Sequence, residues 1–283
     1  MQCGPFAFLL RSPVGSVMDE GDRLYRDYPT EAPGGIVDYT VAVAPPNLLR
    51  RWIRPRLDLQ CDVEIPDMAP QPVAHGLLAL EMGMNLQIAA GMHRYLLLHA
   101  GAAARGNGGL LVTGDSGAGK STLAALLGWS GWRFMGDEFA LVDPADGQLL
   151  PCPRPASLKN ESIPLMEARA PDGVFGPVFD GTIKGRIRHL APPAAALAAM
   201  QVPARPRLIL TPEFEAGAAN EARRLGVAET FVLLTQASTN YRTLGEAGFG
   251  MLADLAGIPA YAVRYGSADA ALAMVDELWA AHG

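Results

Sequence analysis

Lysine is almost missing from this chain. Of its 23 basic residues only Lys120, Lys159 and Lys184 are lysines, and the other 20 are arginines. Where a chain takes the planar guanidinium nearly everywhere, each compact ammonium marks a place to ask what a guanidinium would not fit. Cysteine is scarce too: Cys3, Cys61 and Cys152 are odd in number and share no C-x-x-C spacing. Neither a disulfide framework nor a zinc site follows, and reduced thiols in cytoplasm are expected. No apolar run reaches the roughly 18 residues of a membrane span, and Phe6 to Leu10 is too short for a signal-peptide core. A cytoplasmic protein with no membrane partner is the reading. Excess positive charge is also absent: 23 basic against 29 acidic residues leaves a net charge of −6. Such a balance gives no electrostatic reason to hold nucleic acid or anionic lipid, and a small-molecule or protein partner fits better. With 283 residues, 49% of them apolar, the chain can bury a large core in one large or two small domains.

What is present is concentrated between Gly108 and Val142, GGLLVTGDSGAGKSTLAALLGWSGWRFMGDEFALV. Gly114, four residues, then Gly119-Lys120-Ser121 meets the G-x-x-x-x-G-K-[ST] pattern, with an apolar run before it and a Leu/Ala helix pattern after. Glycines permit positive φ and close approach to phosphate, and the amides and positive dipole end of a helix hold negative charge. Gly114, Asp115, Ser116, Gly117, Ala118, Gly119, Lys120, Ser121 and Thr122 are therefore expected to bind ATP. Lys120 would reach the β- and γ-phosphates and Ser121 a Mg²⁺ ion. Asp137 and Glu138 follow, Asp137 only 17 residues after Lys120. Phosphoryl transfer wants one acid near the metal and another to orient or deprotonate the nucleophile. Neighbours in a regular strand point to opposite faces, so both acids face the phosphates only if Gly136 kinks the strand.

Residues 1–75 are rich in Pro and Arg, with strand-like runs such as Ile36 to Val43 and no long helical pattern; they read as an accessory β-rich region. Residues 76–283 read as the domain that carries the chemistry. Within it, Gly76 to Met92 repeats apolar residues Leu77, Leu80, Met84 and Ile88 at helical steps, with Glu81 and Asn85 on one face. Tyr95 to His99 is a short strand that places His99 beside the phosphate-loop strand, followed by a hairpin at Gly106-Asn107-Gly108. Trp132 to Val142 reads as one strand. Pro151 to Asn160, PCPRPASLKN, reads as a rigid extended loop in which Arg154 and Lys159 form an anion clamp. Residues 161–181, rich in Pro and Gly, read as a mobile segment over the site. Thr182 to Leu190 alternates as a strand, with Lys184, Arg186 and Arg188 in a basic stripe that calls for an anion. Arg207 to Thr211 and Tyr261 to Tyr265 read as strands. Phe231 to Ala237, Leu244 to Ala256 and a segment capped by Ser267 read as helices.

Taken in this order, GLLVTGDSGAGKSTLAALL, FMGDEFALV, CPRPASLKN and TIKGRIRHL, together with EMGMN (Glu81 to Asn85) and TNYRTLGEAGF around Asn240, resemble the HPr-kinase-related kinases, specifically the group called HPr-kinase-related kinase A. HPr kinases themselves are similar over a narrower stretch, about His99 to Val142. The resemblance implies an α/β fold, a P-loop kinase core of the HPr kinase and phosphoenolpyruvate carboxykinase type, with the N-terminal β-rich region added to it. It also implies phosphorylation of a hydroxyl. His99, Lys120, Ser121 and Asp137 fall on the HPr-kinase active-site pattern, while Glu138 replaces a second aspartate. A segment typical of HPr recognition is missing after the second strand, so HPr itself is not the expected partner. The combined reading is a Mg²⁺- and ATP-dependent kinase that phosphorylates a serine of a protein or peptide. In it Asp137 is the base, Ser121 and Glu138 serve the metal, and Arg154, Lys159, Lys184 and Arg186 balance charge or grip the acceptor. A nucleotide-binding regulatory module without phosphotransfer, and a small-molecule kinase or carboxykinase-like enzyme, are the alternatives. A homo-oligomer is compatible with either.

Overall fold

The computed structural model describes residues 1–30, 33–63 and 69–282. It is a mixed α/β structure built on several sheets. The chain opens with β1 (Gln2–Cys3) and β2 (Phe6–Arg11), then α1 (Gly15–Tyr25), β3 (Tyr39–Ala44), α2 (Leu48–Trp52), β4 (Arg56–Cys61) and β5 (Gln71–Pro72). These five strands form one sheet in sequence order. The helix α1 corrects the expectation that this region holds no long helix: Val17, Gly21, Leu24 and Tyr25 bury one face at three- and four-residue steps.

Next come α3 (Gly76–Gly91), β6 (Leu96–Leu98), β7 (Gly101–Arg105) and β8 (Gly108–Val112). Leu77, Leu80, Met84 and Ile88 of α3 share one core with Val41, Val43 and Leu57 of the N-terminal sheet, and with Cys152, Phe179 and Ile187 from later in the chain. A cut between residues 75 and 76 passes through that core. The expected hairpin is present, with Arg105 opposite Gly108 across the Gly106-Asn107 turn.

The chain continues with α4 (Lys120–Gly128), β9 (Arg133–Gly136), β10 (Ala140–Val142), β11 (Leu149–Leu150), β12 (Ala156–Lys159), α5 (Ser162–Arg169), β13 (Phe175–Thr182), β14 (Gly185–Leu190) and α6 (Ala194–Ala198). It closes with β15 (Arg205–Phe214), β16 (Glu221–Arg224), α7 (Val227–Ala237), α8 (Tyr241–Ala256), β17 (Ala260–Tyr265) and α9 (Ala268–His282). A six-stranded sheet in the order β16-β17-β15-β8-β7-β9 runs through the centre, with β8 and β17 both parallel to β15. Every residue of β8 is buried, because Leu110 and Val112 pack under Leu123 and Leu127 of α4 while Leu111 packs on the opposite face with Leu252 and Leu255 of α8. Ser267 caps α9 as expected, its hydroxyl accepting the Ala270 N–H at 3.2 Å.

Four expectations are corrected. Trp132 to Val142 is two strands in two sheets, because Gly136 takes φ 156° and a methyl group there would lie 3.2 Å from the carbonyl oxygens of Phe139 and Cys152. His99 does not flank β8 through strand pairing, since β6 pairs with β10 and β7 lies beside β8. Residues 161–181 are not a loop: they contain α5, whose Pro164 sits in the first turn where its missing N–H costs nothing, and β13, anchored by buried Phe175 and Phe179. The end of Pro151 to Asn160 is strand, not loop. Among the described residues no helix is long and apolar enough to cross a membrane.

Candidate functional site

The loop from Thr113 to Gly119 joins buried β8 to α4, and its glycines do what no other residue does there. Gly114, Gly117 and Gly119 have φ of 126°, 88° and 96°. A methyl group on Gly114 would meet the Thr211 hydroxyl at 2.5 Å, and that hydroxyl is itself fixed by donating to the Thr113 carbonyl at 2.9 Å. Lys120, 6% exposed, folds back into the loop and donates from Nζ to the carbonyls of Gly114 and Asp115, each at 2.8 Å. Burial pushes its pKa down, which Glu138 partly counters. The first N–H groups of α4 have no partner within the helix, so the loop and helix end present donors suited to an anion.

Before this loop opens a cavity of about 330 Å³, lined by Ser116, Gly117, Gly119, Lys120, Ser121 and Thr122 of the loop and helix. His99, Glu138, Lys159 and Lys184 line it from the other side. All three lysines of the chain thus face one cavity. Two local features hold Lys184 and Lys159 there. Asn160, with φ 49°, accepts the Arg186 N–H at 3.0 Å through its side-chain oxygen and donates to the Lys184 carbonyl at 3.3 Å, tying the β13–β14 turn to the end of β12. The Ser162 hydroxyl accepts the Lys159 N–H and donates to the Lys159 carbonyl, both at 2.7 Å. Ser157, Asn160 and Ser162 are lining residues that the sequence reading missed, although all three lie in or beside PASLKN.

The strand break at Gly136 separates the two acids. Glu138 faces the cavity, 3.7 Å from His99 Nδ1. Burial lowers the His99 pKa, with Glu138 pulling against it and Lys120 adding to it, so the imidazole is neutral near pH 7. Asp137 turns inward: it is 5% exposed and accepts the Ser157 N–H at 2.9 Å. Burial, then the charge of Glu138, raises its pKa to about 7, while the Ser157 hydrogen bond, Arg154 and Lys159 work in the opposite sense.

Asp137 lines a second chamber, of about 580 Å³, between α3 and the β12–β14 sheet. Glu138, Ser157, Lys159 and Lys184 line both spaces, so the two adjoin. Arg154 also lies in this chamber, and the clamp expected of it is corrected: it is buried and donates to the Glu81 carboxylate and the Asn85 side chain. Tyr25 donates to the other oxygen of Glu81. The charge of Arg154 is therefore spent inside the protein. The basic stripe is corrected likewise. Lys184 sits in the β13–β14 turn, outside the strand. Arg186 is 3.3 Å from Asp180, and Arg188 pairs with Glu167 and lies over the Phe175 ring. Carboxylates of the chain itself meet the arginines of the stripe, leaving only the lysine in the cavity.

Among the described residues no three His, Cys, Asp or Glu side chains are grouped to hold a metal ion. Ser121 and Glu138, both lining the cavity, are a hydroxyl and a carboxylate of the hard-oxygen kind Mg²⁺ takes, and that ion keeps most of its shell for water and phosphate. The residues present fit the ion.

No known protein-family profile matches the chain, and no curated protein matches it in sequence. The resemblance read from the motifs thus stands on those motifs. Among solved structures, the Hpr(Ser) kinase/phosphatase of Coxiella burnetii is similar at 14% identity, over 63% of this chain and 90% of that one, with a TM-score of 0.28.

Proposed function

We propose that the protein is an ATP-dependent kinase that transfers the γ-phosphoryl group to a hydroxyl. The observation that carries this reading is the junction of the two spaces: a lysine-ringed cavity in front of a glycine-rich loop adjoins a chamber lined by a buried carboxyl, Asp137. ATP would occupy the cavity, its phosphates on the loop amides and Lys120, with Lys159 and Lys184 balancing charge on the transferred group. Ser121 and Glu138 would hold Mg²⁺, which when bound neutralises charge on the β- and γ-phosphates. Asp137, on the chamber side, accepts the proton of the attacking hydroxyl. Neutral His99 stands beside Glu138 and contributes no charge of its own.

Incubation with Mg²⁺ and ATP labelled on the γ-phosphate tests this. Label should pass to an acceptor, and Lys120→Ala should lower the rate roughly a hundredfold or more. Full transfer by Lys120→Ala would sink the assignment. Tight nucleotide binding with no transfer to any acceptor would instead identify a nucleotide-binding module.

A further inference from the structure

The chamber beside the cavity is lined in part by a second, less buried face of α3. Leu77, Leu80, Met84 and Ile88 fix α3 into the core, yet Leu78, Met82, Leu86 and Ala89 form a second apolar row, only half-buried, that lines the chamber. Phe139, Leu141 and Ile187 line it too, and fully exposed Ile183, at the tip of the β13–β14 hairpin, stands at its edge. A helix that is apolar on two faces has a use for the second.

We infer that this chamber takes a small, uncharged hydroxyl compound with a largely apolar body as the phosphoryl acceptor; the acceptor role rests on the kinase reading above. Three features select that class. The volume of about 580 Å³ falls in the range of small-molecule pockets, and most of the exposed lining surface is apolar, with polar side chains such as Asn85, Ser157 and Thr182 set among it. The charges do not call for an acidic acceptor: Arg154 is neutralised by Glu81, and the two lysines of the lining, which also face the donor cavity, are balanced by Glu138 and the buried Asp137 carboxyl. The burial of Asp137 disfavours a serine in a polypeptide. A serine hydroxyl lies one bond beyond its Cβ, so bringing it to buried Asp137 would draw the peptide backbone in with it. Its N–H and C=O groups would then leave water for a chamber whose exposed lining is mostly apolar. In the reaction the acceptor hydroxyl gives its proton to the Asp137 carboxylate and its oxygen bonds to the γ-phosphorus. The bond from that phosphorus to the bridging oxygen breaks, ADP leaves with the electron pair, and a phosphate monoester remains.

Straight-chain primary alcohols from ethanol to 1-octanol are the probe. Their binding to the full chain is read by ligand-observed NMR, with Mg-ATP affinity measured in parallel. The dissociation constant should fall about fourfold per added methylene until the chamber is filled. Met82→Trp narrows the chamber, and Ile183→Ser removes the apolar group at its edge on a fully exposed residue where folding is not at stake. Each should weaken 1-hexanol binding by about tenfold while leaving Mg-ATP affinity unchanged. With Mg-ATP, hexyl phosphate should form faster than phosphoserine in a short serine peptide. An affinity series that ignores chain length, or one that both variants leave untouched, overturns the inference, as does a peptide phosphorylated faster than hexanol. Failure to bind Mg-ATP with the alcohol series intact sinks the kinase reading and leaves the ligand class of the chamber standing.

Discussion

Asp137 combines deep burial with a carboxyl whose pKa has moved from an ordinary 3.8 to about 7, through desolvation first and the neighbouring Glu138 second. The native state therefore keeps a proton that the unfolded chain has already lost between these two values. Protons bound in excess by the native state make stability fall as pH rises, so this group's contribution is most favourable below about pH 4 and declines up to about pH 7, beyond which it is level. Asp137→Asn removes the titration while keeping an oxygen for the Ser157 N–H. Relative to wild type, the variant should gain roughly 3 kcal/mol between pH 5 and pH 8, since each tenfold difference in proton affinity between the native and unfolded states is worth about 1.4 kcal/mol. Denaturant unfolding at the two pH values, without Mg²⁺ or nucleotide, checks this; an identical difference at both would show that Asp137 is not perturbed. Burial of this kind was invisible beforehand. What the sequence offered at residue scale was rarity, and the three lysines singled out for it do line one cavity, whereas nothing in the order of residues set Asp137 behind Glu138 except the glycine that precedes them.

At the scale of elements, α3 is joined to the segment before β12 by the buried pair of Glu81 and Arg154, with Tyr25 of α1 as a third member. The carboxylate holds the guanidinium fully charged in spite of its burial. Removing only the carboxylate leaves that charge without a counter-ion, so Glu81→Gln should cost about 3–5 kcal/mol. Glu81→Leu with Arg154→Met removes both charges and should recover part of that loss. Urea unfolding of the wild type and these two variants decides, and equal stability of the single and double variants would mean that the pair is not the tie between these elements. The four-residue spacing of Glu81 and Asn85 was legible, and both do bind one partner, but that partner comes from 69 residues or more along the chain. Elements with a strong period were legible for the same reason, from the α3 core row to the Gly106-Asn107 hairpin. Those judged by composition were not: a proline in the first turn of α5 and glycines around β13 imitate a loop, and buried Phe175 and Phe179 decide otherwise. The basic alternation of β14 misled because carboxylates from other elements, Glu167 of α5 and Asp180 of β13, complete it.

Across the whole molecule, the N-terminal sheet serves as one wall of the core beneath α3, and α3 in turn walls the chamber that Asp137 lines. The cysteines follow the same geometry: Cys3 of β1 and Cys152 of the segment before β12 lie with their sulfurs 3.6 Å apart, although 149 residues separate them. Losing the sheet would bare Leu77, Leu80, Met84 and Ile88, each worth about 1.5–3 kcal/mol of burial, a sum comparable with the roughly 5–15 kcal/mol by which a native protein is stable. A fragment of residues 76–283 should therefore lose cooperative unfolding and the chamber together, and become open to protease within α3. Full-length protein and fragment are compared by urea unfolding followed by tryptophan fluorescence, for which Trp129, Trp132 and Trp279 remain in both. A sharp transition in the fragment, at the midpoint of the full chain, would instead make residues 1–75 an appendage, and α3 would then owe its position to the central sheet alone.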